Sequence, residues 1–398
     1  MPPLLSIDDA LELILAEVRA LSPESVSLAA ARGRFLAEDA VAQVDLPPFP
    51  SSAMDGFAVR SADTPGCLPV VFRIAAGRPA ERPLAAGDAM GIATGGVVPE
   101  GADAVVPIEY VVDNDNTVEI SEAAPPGANV RPRGSDVRAG ETVARAGTRL
   151  AAAQIGALAA AGFPSVEARR RPRAAVLTTG TELRPPGQPL GPGEVYEANG
   201  VMLASQLASA GASVDILPGV EDDEAAHRRA LERGLEADVL VTSGGVSVGP
   251  HDLVRGIEAE LGVREVFWGV AVKPGKPLSF GVRDGTLVFG LPGNPVSSLV
   301  GFELFVRPAV VALQGADDPR PRFETGTLAG AVRRNADRDQ FLRGNREYAD
   351  DGPPLVAPLE GQESHMIARA ASADVLLHVP RGEGELSAGS DVGFLVLS

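Results

Sequence analysis

The sequence predicts an α/β plus β protein of several domains: a central parallel α/β sheet, a β-rich inserted domain and a C-terminal domain of β-barrel type. Three observations carry this. Between about residues 171 and 315, short apolar runs alternate with helical stretches, the order a parallel sheet requires. From 46 to 145 the texture is short β-like runs such as "PVVFRIAAG", "DAVVPIEYVV" and "NTVEI", punctuated by Gly, Pro, Asn and Asp. From 316 to 398 short strands recur, ending in "DVLLHVP" and "DVGFLVLS" around a Gly-rich turn, which suits a small barrel or sandwich.

The elements follow in order. "SIDDALELILAEV" opens with Ser6 as a helix cap and Asp9 three positions on, and Leu11, Ile14, Leu15 and Val18 fall near helical spacing. Helical texture returns in "LAAAQIGALAAAG". Residues 1–45 and 146–170 are therefore expected to form one helical unit, interrupted by the β-rich domain. In 171–315 the strands are "RAAVLTTG", "SVDILPG", "ADVLVTSGG" and "EVFWGVAV". The helices between them are "NGVMLASQLASAG", "DDEAAHRRALERGL" and one near "HDLVRGIEAEL". A hairpin, "PLSFGVRDGTLVFG", and a helix after "LPGNP" complete it.

At 398 residues the chain can bury a sizeable core without disulfides or metals. Its one cysteine, Cys67, excludes an internal disulfide framework and suits a reducing compartment. The amino terminus lacks a secretory pattern, and no continuous apolar run reaches membrane-spanning length, so a soluble cytoplasmic protein is expected. A formal charge of -18 argues against nucleic-acid binding, which needs a broad cationic face. An acidic surface repels small anions, so any anion site must be local.

The loops beyond the carboxyl ends of the α/β strands are where ligands bind in such sheets. "TSGGVSVGPHD" offers Ser243, Gly244, Gly245 and Ser247 to cradle a phosphate or heterocycle, with Asp252 at the next helix; a plain turn capped by Asp252 is the alternative. "GLPGNPVSSLV" places Pro292, Gly293, Asn294 and Pro295 at a helix start whose free amides favour an anion, or else simply cap the helix. "KPGKP" holds Lys273 and Lys276, the only lysines in a chain that otherwise uses arginine. A compact ammonium grips an oxyanion differently from a planar guanidinium, so these positions read as an anion-binding pair; the alternative is two surface lysines. Glu182 and Asp252, on the loop side of the sheet beside anionic groups, suggest Mg2+. In the β-rich part Asp55, Thr94, Arg131, Arg133, Asp136 and Arg138 occupy turn-rich settings. The four histidines show no zinc-ligand spacing, and no Walker A, G-x-S-x-G or dinucleotide motif stands in context.

Seven motifs in order, "LPPFPSSAMDGFAV", "TGGVVPEGADAVV", "NVRPRGSDVRAGE", "VLTTGTEL", "TSGGVSVGPHD", "KPGKP" and "GLPGNPVSSLV", resemble the molybdopterin molybdenumtransferase (MoeA) family, which is similar to the gephyrin E domain. The resemblance runs over essentially the whole chain. It implies an elongated four-domain homodimer whose active site lies between the α/β domain of one subunit and the "SAMDG" domain of the other. It further implies insertion of molybdenum, from molybdate, into adenylylated molybdopterin, with AMP and molybdenum cofactor released and Mg2+ assisting. Transient contacts with the adenylyltransferase and with recipient molybdoenzymes follow, and neither nucleic acid nor membrane is a partner.

Carried over residue by residue, the resemblance gives Ser243, Gly244, Gly245 and Ser247 to the pterin or nucleotide, and Asp252 and Glu182 to the metal and substrate centre. Lys273 and Lys276 go to phosphates or molybdate, and Asp55, Thr94 and Asp136 complete the site from the opposite subunit. The chain departs from the family pattern at Thr181, Ala198, His251 and Glu363 and in "DRDQFLR". Competing readings are molybdopterin adenylyltransferase, typically a single α/β domain, and a non-catalytic gephyrin-like scaffold.

Overall fold

In a computed structural model of the chain, residues 4–75, 77–218, 224–245, 253–348 and 352–397 are described. The central sheet has six strands in the order Ser213–Ile216, Arg173–Thr178, Val239–Ser243, Thr286–Leu291, Ser279–Arg283, Arg264–Trp268. The first four run parallel and the last two antiparallel to their neighbours, so the sheet is parallel with a mixed edge. That edge is the expected hairpin. Asp284 and Gly285 at its tip both have positive φ, 49° and 91°, as a two-residue hairpin turn matching the strand twist demands.

Alternate side chains of these strands point to opposite faces, and each face is apolar. Ala174, Val176, Val239, Val241, Leu287, Phe289 and Leu291 join one core with Leu203, Leu207 and the helical run from Pro295 to Leu313. Ala175, Leu177, Leu240 and Val288 join the other, with Leu231, Val254 and Ile257. Both faces must be covered. The run Pro295–Leu313 is long and apolar enough by composition to cross a membrane, at mean hydropathy 1.7, yet 78% of that window is buried inside the protein. It is a core helix, and Glu303 and Arg307 break it into shorter apolar runs in the sequence.

The first helix, Ile7–Glu17, is capped as expected: Ser6 Oγ accepts the Asp9 amide at 3.0 Å. Its partner differs from expectation. Ala10, Leu11 and Ile14 are buried in the core shared with Phe302, Leu304 and Val310 rather than with residues 146–170. Two antiparallel ribbons draw the remaining stretches together: Pro23–Ser27 with Ser165–Arg169, and Ala40–Val41 with Thr142–Ala144. Leu36, Leu150 and Leu158 fill the core between them. This unit is thus more ribbon than helix, because the strongly amphipathic first helix finds the larger apolar face elsewhere.

Within 46–145 six strands form one sheet, in the order Ala104–Pro107, Gly56–Val59, Ala89–Ile92, Gly66–Ile74, Thr117–Ile120, Val111–Asp113. The C-terminal part is a closed five-stranded barrel. Asp339–Glu347 pairs with Leu355–Pro358, and pairing continues through Glu324–Leu328, Asp391–Val396 and Val375–Val379 back to Asp339–Glu347. A short strand, Val272–Lys273, adds in parallel to Asp339–Glu347, so the lysine motif is tied directly to the barrel.

Candidate active site

Three strands end level with one another: Thr178 lies opposite Ser243, and Ser243 opposite Leu291. From Arg173–Thr178 the chain moves to one neighbour, Ser213–Ile216, and later returns to the other, Val239–Ser243. That reversal of direction beside Arg173–Thr178 is the kind of switch point outside which open α/β sheets bind ligands in a crevice.

Ser243 is the hub of that crevice. It is 2% exposed; its hydroxyl accepts from Asn199 Nδ2 at 2.9 Å and lies 3.2 Å from the Pro292 carbonyl and 3.4 Å from Ser298 Oγ. Asn199 Nδ2 also reaches the Gly293 carbonyl at 2.8 Å, and Ser298 Oγ donates to Pro292 O at 2.5 Å. One polar network thus fixes the loops after Ser243 and Leu291 to the helix Asn199–Ser209. Asn199 and Ser298 were not among the expected site residues; their only signal was polar side chains beside Gly- and Pro-rich loops.

Gly244 has φ +94°, and a Cβ there would meet the Thr179 carbonyl at 2.7 Å; Gly245 has φ +65° and would strike Val254. Both glycines are required by backbone and by space. Gly293 is unlike these two: its φ is not positive, and a Cβ would sit 3.8 Å from Gly244 Cα, ordinary contact. It supplies open space between the loops rather than a tight turn. Ser247 and Asp252, with His251, lie outside the described residues.

The helix start at Pro295 is not the open anion cradle expected of it. Pro295 has no amide hydrogen, the Val296 amide donates to Ser364 O at 3.0 Å, and Val296, Ser297 and Ser298 are buried. A turn of the C-terminal barrel closes it, a contact too distant in sequence to foresee. Asn294 remains exposed and its side chain caps nothing.

The lysine turn packs against this helix: a Cβ on Gly275, φ +114°, would be 3.5 Å from Ser297 O. The Lys276 carbonyl takes the amides of Val270 and Leu278 at 3.1 and 3.0 Å, which fixes the turn from within. Lys273 is exposed and Lys276 half-buried, and neither has an ion-pair or hydrogen-bond partner for its ammonium among the described residues. Arginines, with His378, account for every ion pair found there, from Arg34–Glu24 to Arg346–Asp374. Among the described residues the two lysines stand apart as free cations beside a crevice.

Glu182 follows the strand Arg173–Thr178 and is exposed, its carboxylate over Gly180. Among the described residues no three potential metal-ligating side chains cluster. The departure at Ala198 has its compensation: Ala198 cannot cap the helix Asn199–Ser209, and Glu197 Oε1 accepts the Gly200 amide at 2.7 Å instead.

In the β-rich part, three motifs far apart in sequence meet. Ser51 and Ser52 pair with Arg131 and Val130, Ser52 exchanges backbone bonds with Gly95 and Gly96, and the Asp136 amide donates to Leu46 O at 2.9 Å. Asp55 Oδ1 accepts the Thr94 amide at 2.7 Å. That amide, with the Thr94 hydroxyl, holds the carboxyl below its usual value of 3.8. Arg133 is paired with Asp45 at 2.5 Å, while Asp136 is exposed. Among the described residues no hydrogen bond joins this cluster to the Ser243 crevice in the same chain. A cleft of about 650 Å³ lies beside Met54 of the cluster.

Comparison with known proteins bears on what these two clusters serve. Residues 5–162 match the MoeA N-terminal region (domains I and II), 175–312 a probable molybdopterin binding domain, and 325–397 the MoeA C-terminal region (domain IV). The Mycobacterium tuberculosis protein named molybdopterin molybdenumtransferase 2 is 36% identical, over 97% of this chain and 98% of that one. The Haemophilus influenzae molybdopterin molybdenumtransferase is 33% identical, over 98% of each. A solved structure of the molybdopterin biosynthesis MoeA protein from Pyrococcus horikoshii superposes with TM-score 0.84 at 28% identity, covering 99% of this chain and 100% of that one. Likeness at this level from one end to the other, with the Ser243 crevice and the lysine turn inside it, means that the chain belongs to the molybdopterin molybdenumtransferase (MoeA) family.

Proposed function

We propose that the protein is an enzyme that inserts molybdenum into adenylylated molybdopterin, using molybdate and releasing AMP and molybdenum cofactor. Family membership over the full length supports the reaction class. The observation that carries the site is the pair of lysines, unpartnered among the described residues, on a rigid turn beside the Ser243 crevice. In an acidic protein, free ammonium groups held there attract a tetrahedral oxyanion and offset charge as the phosphoanhydride bond breaks. The cleavage consumes one water: the P–O–P link opens, and the water oxygen stays on one of the two phosphates.

The level strand ends let Ser243, Gly244 and Gly245 receive the nucleotide or pterin, with Asn294 presenting its amide from the facing loop. Mg2+, a hard cation that needs few protein carboxylates when substrate phosphates complete its shell, fits the oxygen donors of Glu182 and Asp252. Bound there, it would neutralise phosphate charge. Among the described residues Asp55, Thr94 and Asp136 have no bonded link to the crevice in their own chain, which favours a homodimer in which they complete the partner's site. Adenylyltransferase activity alone would not need the barrel strand that anchors the lysine turn.

The test is a defined reconstitution with purified protein, adenylylated molybdopterin, Mg2+ and molybdate, following AMP release and activation of a cofactor-free molybdoenzyme. Both are expected, and both should vanish in Lys276→Ala and in Asp252→Asn while each variant stays folded. Wild-type turnover in those variants would overturn the assignment. Substrate binding without AMP release by the wild type would favour the scaffold reading.

A further inference from the structure

Arg343 heads the largest fully buried side chains among the described residues, at 1% exposure. It stands on the barrel strand Asp339–Glu347 and has no ion-pair partner there. Nη1 donates to Met366 O at 2.6 Å, and Nη2 to Gly361 O at 2.6 Å and Glu363 O at 3.3 Å. Gln362, from the same turn, holds the Arg343 backbone, accepting its amide at 3.0 Å and donating to its carbonyl at 2.8 Å. Burial pushes the Arg343 pKa down, and the Glu363 carboxylate opposes this. Glu363, a departure from the family pattern, is thus the carboxylate that partly offsets the buried charge.

An apolar side chain of similar volume would fill this position without the cost of desolvating a guanidinium. What such a side chain would not do is pin three carbonyls of one turn. That turn has a specific task. Ser364 O receives the Val296 amide, at the start of the helix that follows Pro292 and Asn294. The start of the same strand holds the lysine turn: the Asp339 amide donates to Ala271 O at 2.9 Å, and Lys273 pairs with Gln340. A single barrel strand therefore carries the lysine turn at its start and, through Arg343 at its midpoint, the turn that reaches the loop opposite.

We propose that Arg343 is a positioning residue for the oxyanion site: it sets the spacing between Lys273 and the loop at Pro292–Asn294 by locking the turn at 361–366. This rests on the function proposed above. The experiment measures molybdate dependence of AMP release, molybdate affinity by calorimetry and thermal midpoint for wild type, Arg343→Lys and Gln362→Leu. Lysine keeps the charge but loses the fork, and Gln362→Leu frees the turn without touching the guanidinium. Both are expected to raise the KM and Kd for molybdate about tenfold, since small misplacements of binding groups carry that cost. Both should leave kcat at saturating molybdate within about twofold. Folded variants with unchanged molybdate KM and Kd, or a loss confined to kcat, overturn the proposal. A wild type that binds molybdate but releases no AMP sinks the function reading instead, and the Kd comparison still judges Arg343.

Discussion

Asp55 and Thr94, thirty-nine positions apart, are joined by a 2.7 Å hydrogen bond from the Thr94 amide to the Asp55 carboxylate. Asparagine at position 55 keeps an oxygen acceptor for that amide and removes the charge. Asp55→Asn is therefore expected to leave the thermal midpoint unchanged and to lower AMP release at least about tenfold, if the carboxylate works on substrate charge or protons. Unimpaired turnover would show that Asp55 only closes a turn.

The proposed completion of the site by two subunits has a consequence for mixtures. Asp55→Asn and Lys276→Ala, each impaired alone, would place their defects on opposite sides of the proposed composite site. Subunit exchange between equal amounts should restore about a quarter of wild-type activity, because half the dimers become mixed and each mixed dimer keeps one intact site. Exchange without recovery, verified by mass spectrometry of the mixed dimer, would place both residues in one chain's site.

Lys276→Arg keeps the positive charge, and the turn is held by the Lys276 carbonyl rather than its side chain. The substitution thus tests ammonium against guanidinium with little else disturbed. A loss of at least about tenfold in kcat/KM is expected from the changed donor geometry. Full activity would refute the lysine-specific reading.

Gly244→Ala and Gly293→Ala should part company. At Gly244 the backbone is left-handed and the new Cβ would lie 2.7 Å from Thr179 O, so a destabilisation of about 1–3 kcal/mol is expected. At Gly293 the nearest atom is 3.8 Å away and φ is ordinary, so stability should hold. Thermal midpoints of the two variants check this. Equal effects would contradict the loop geometry.

Asp238 supplies a pH signature away from the site. Burial pushes its pKa up, but the two-pronged contact with Arg170, at 2.7 Å on each oxygen, and the Arg173 amide outweigh this, leaving it below 3.8. A depressed folded-state pKa stabilises the fold above the unfolded value, and that contribution disappears as pH falls through the lower folded one. Asp238→Asn should cost about 2 kcal/mol at neutral pH. The gap between wild type and variant in denaturation midpoint should narrow below about pH 4; a gap independent of pH would mean the ion pair contributes little.

Much of the architecture was legible because it is written in local pattern. Alternation along Arg173–Thr178 and Val239–Ser243 gives the two-faced sheet, Asp284-Gly285 gives the hairpin, and Gly244 announces a backbone that only glycine adopts at low cost. What escaped is long-range. Nothing near Ile14 says whether its helix packs on residues 146–170 or on the run beyond Pro295; the larger apolar face wins. Nothing near Pro295 reveals that Ser364 will take the Val296 amide, and Arg343 reads as one more surface arginine until the barrel closes around it. Asn199 was hidden for the same reason, its partners Ser243 and Gly293 being set by strand order rather than by sequence proximity.

The placement of the first helix also has a meaning in time. Ile7–Glu17 is made first, yet the core that receives Ile14 includes Val310 and Leu313. At usual synthesis rates, about 15 to 60 seconds pass before those residues are translated. Through that interval the β-rich sheet can form while an apolar helix waits uncovered, exposed to neighbouring chains and chaperones. That helix can be sealed only after the run Pro295–Leu313 is made, and deleting Ile7–Glu17 should unsettle a sheet that begins more than a hundred positions downstream.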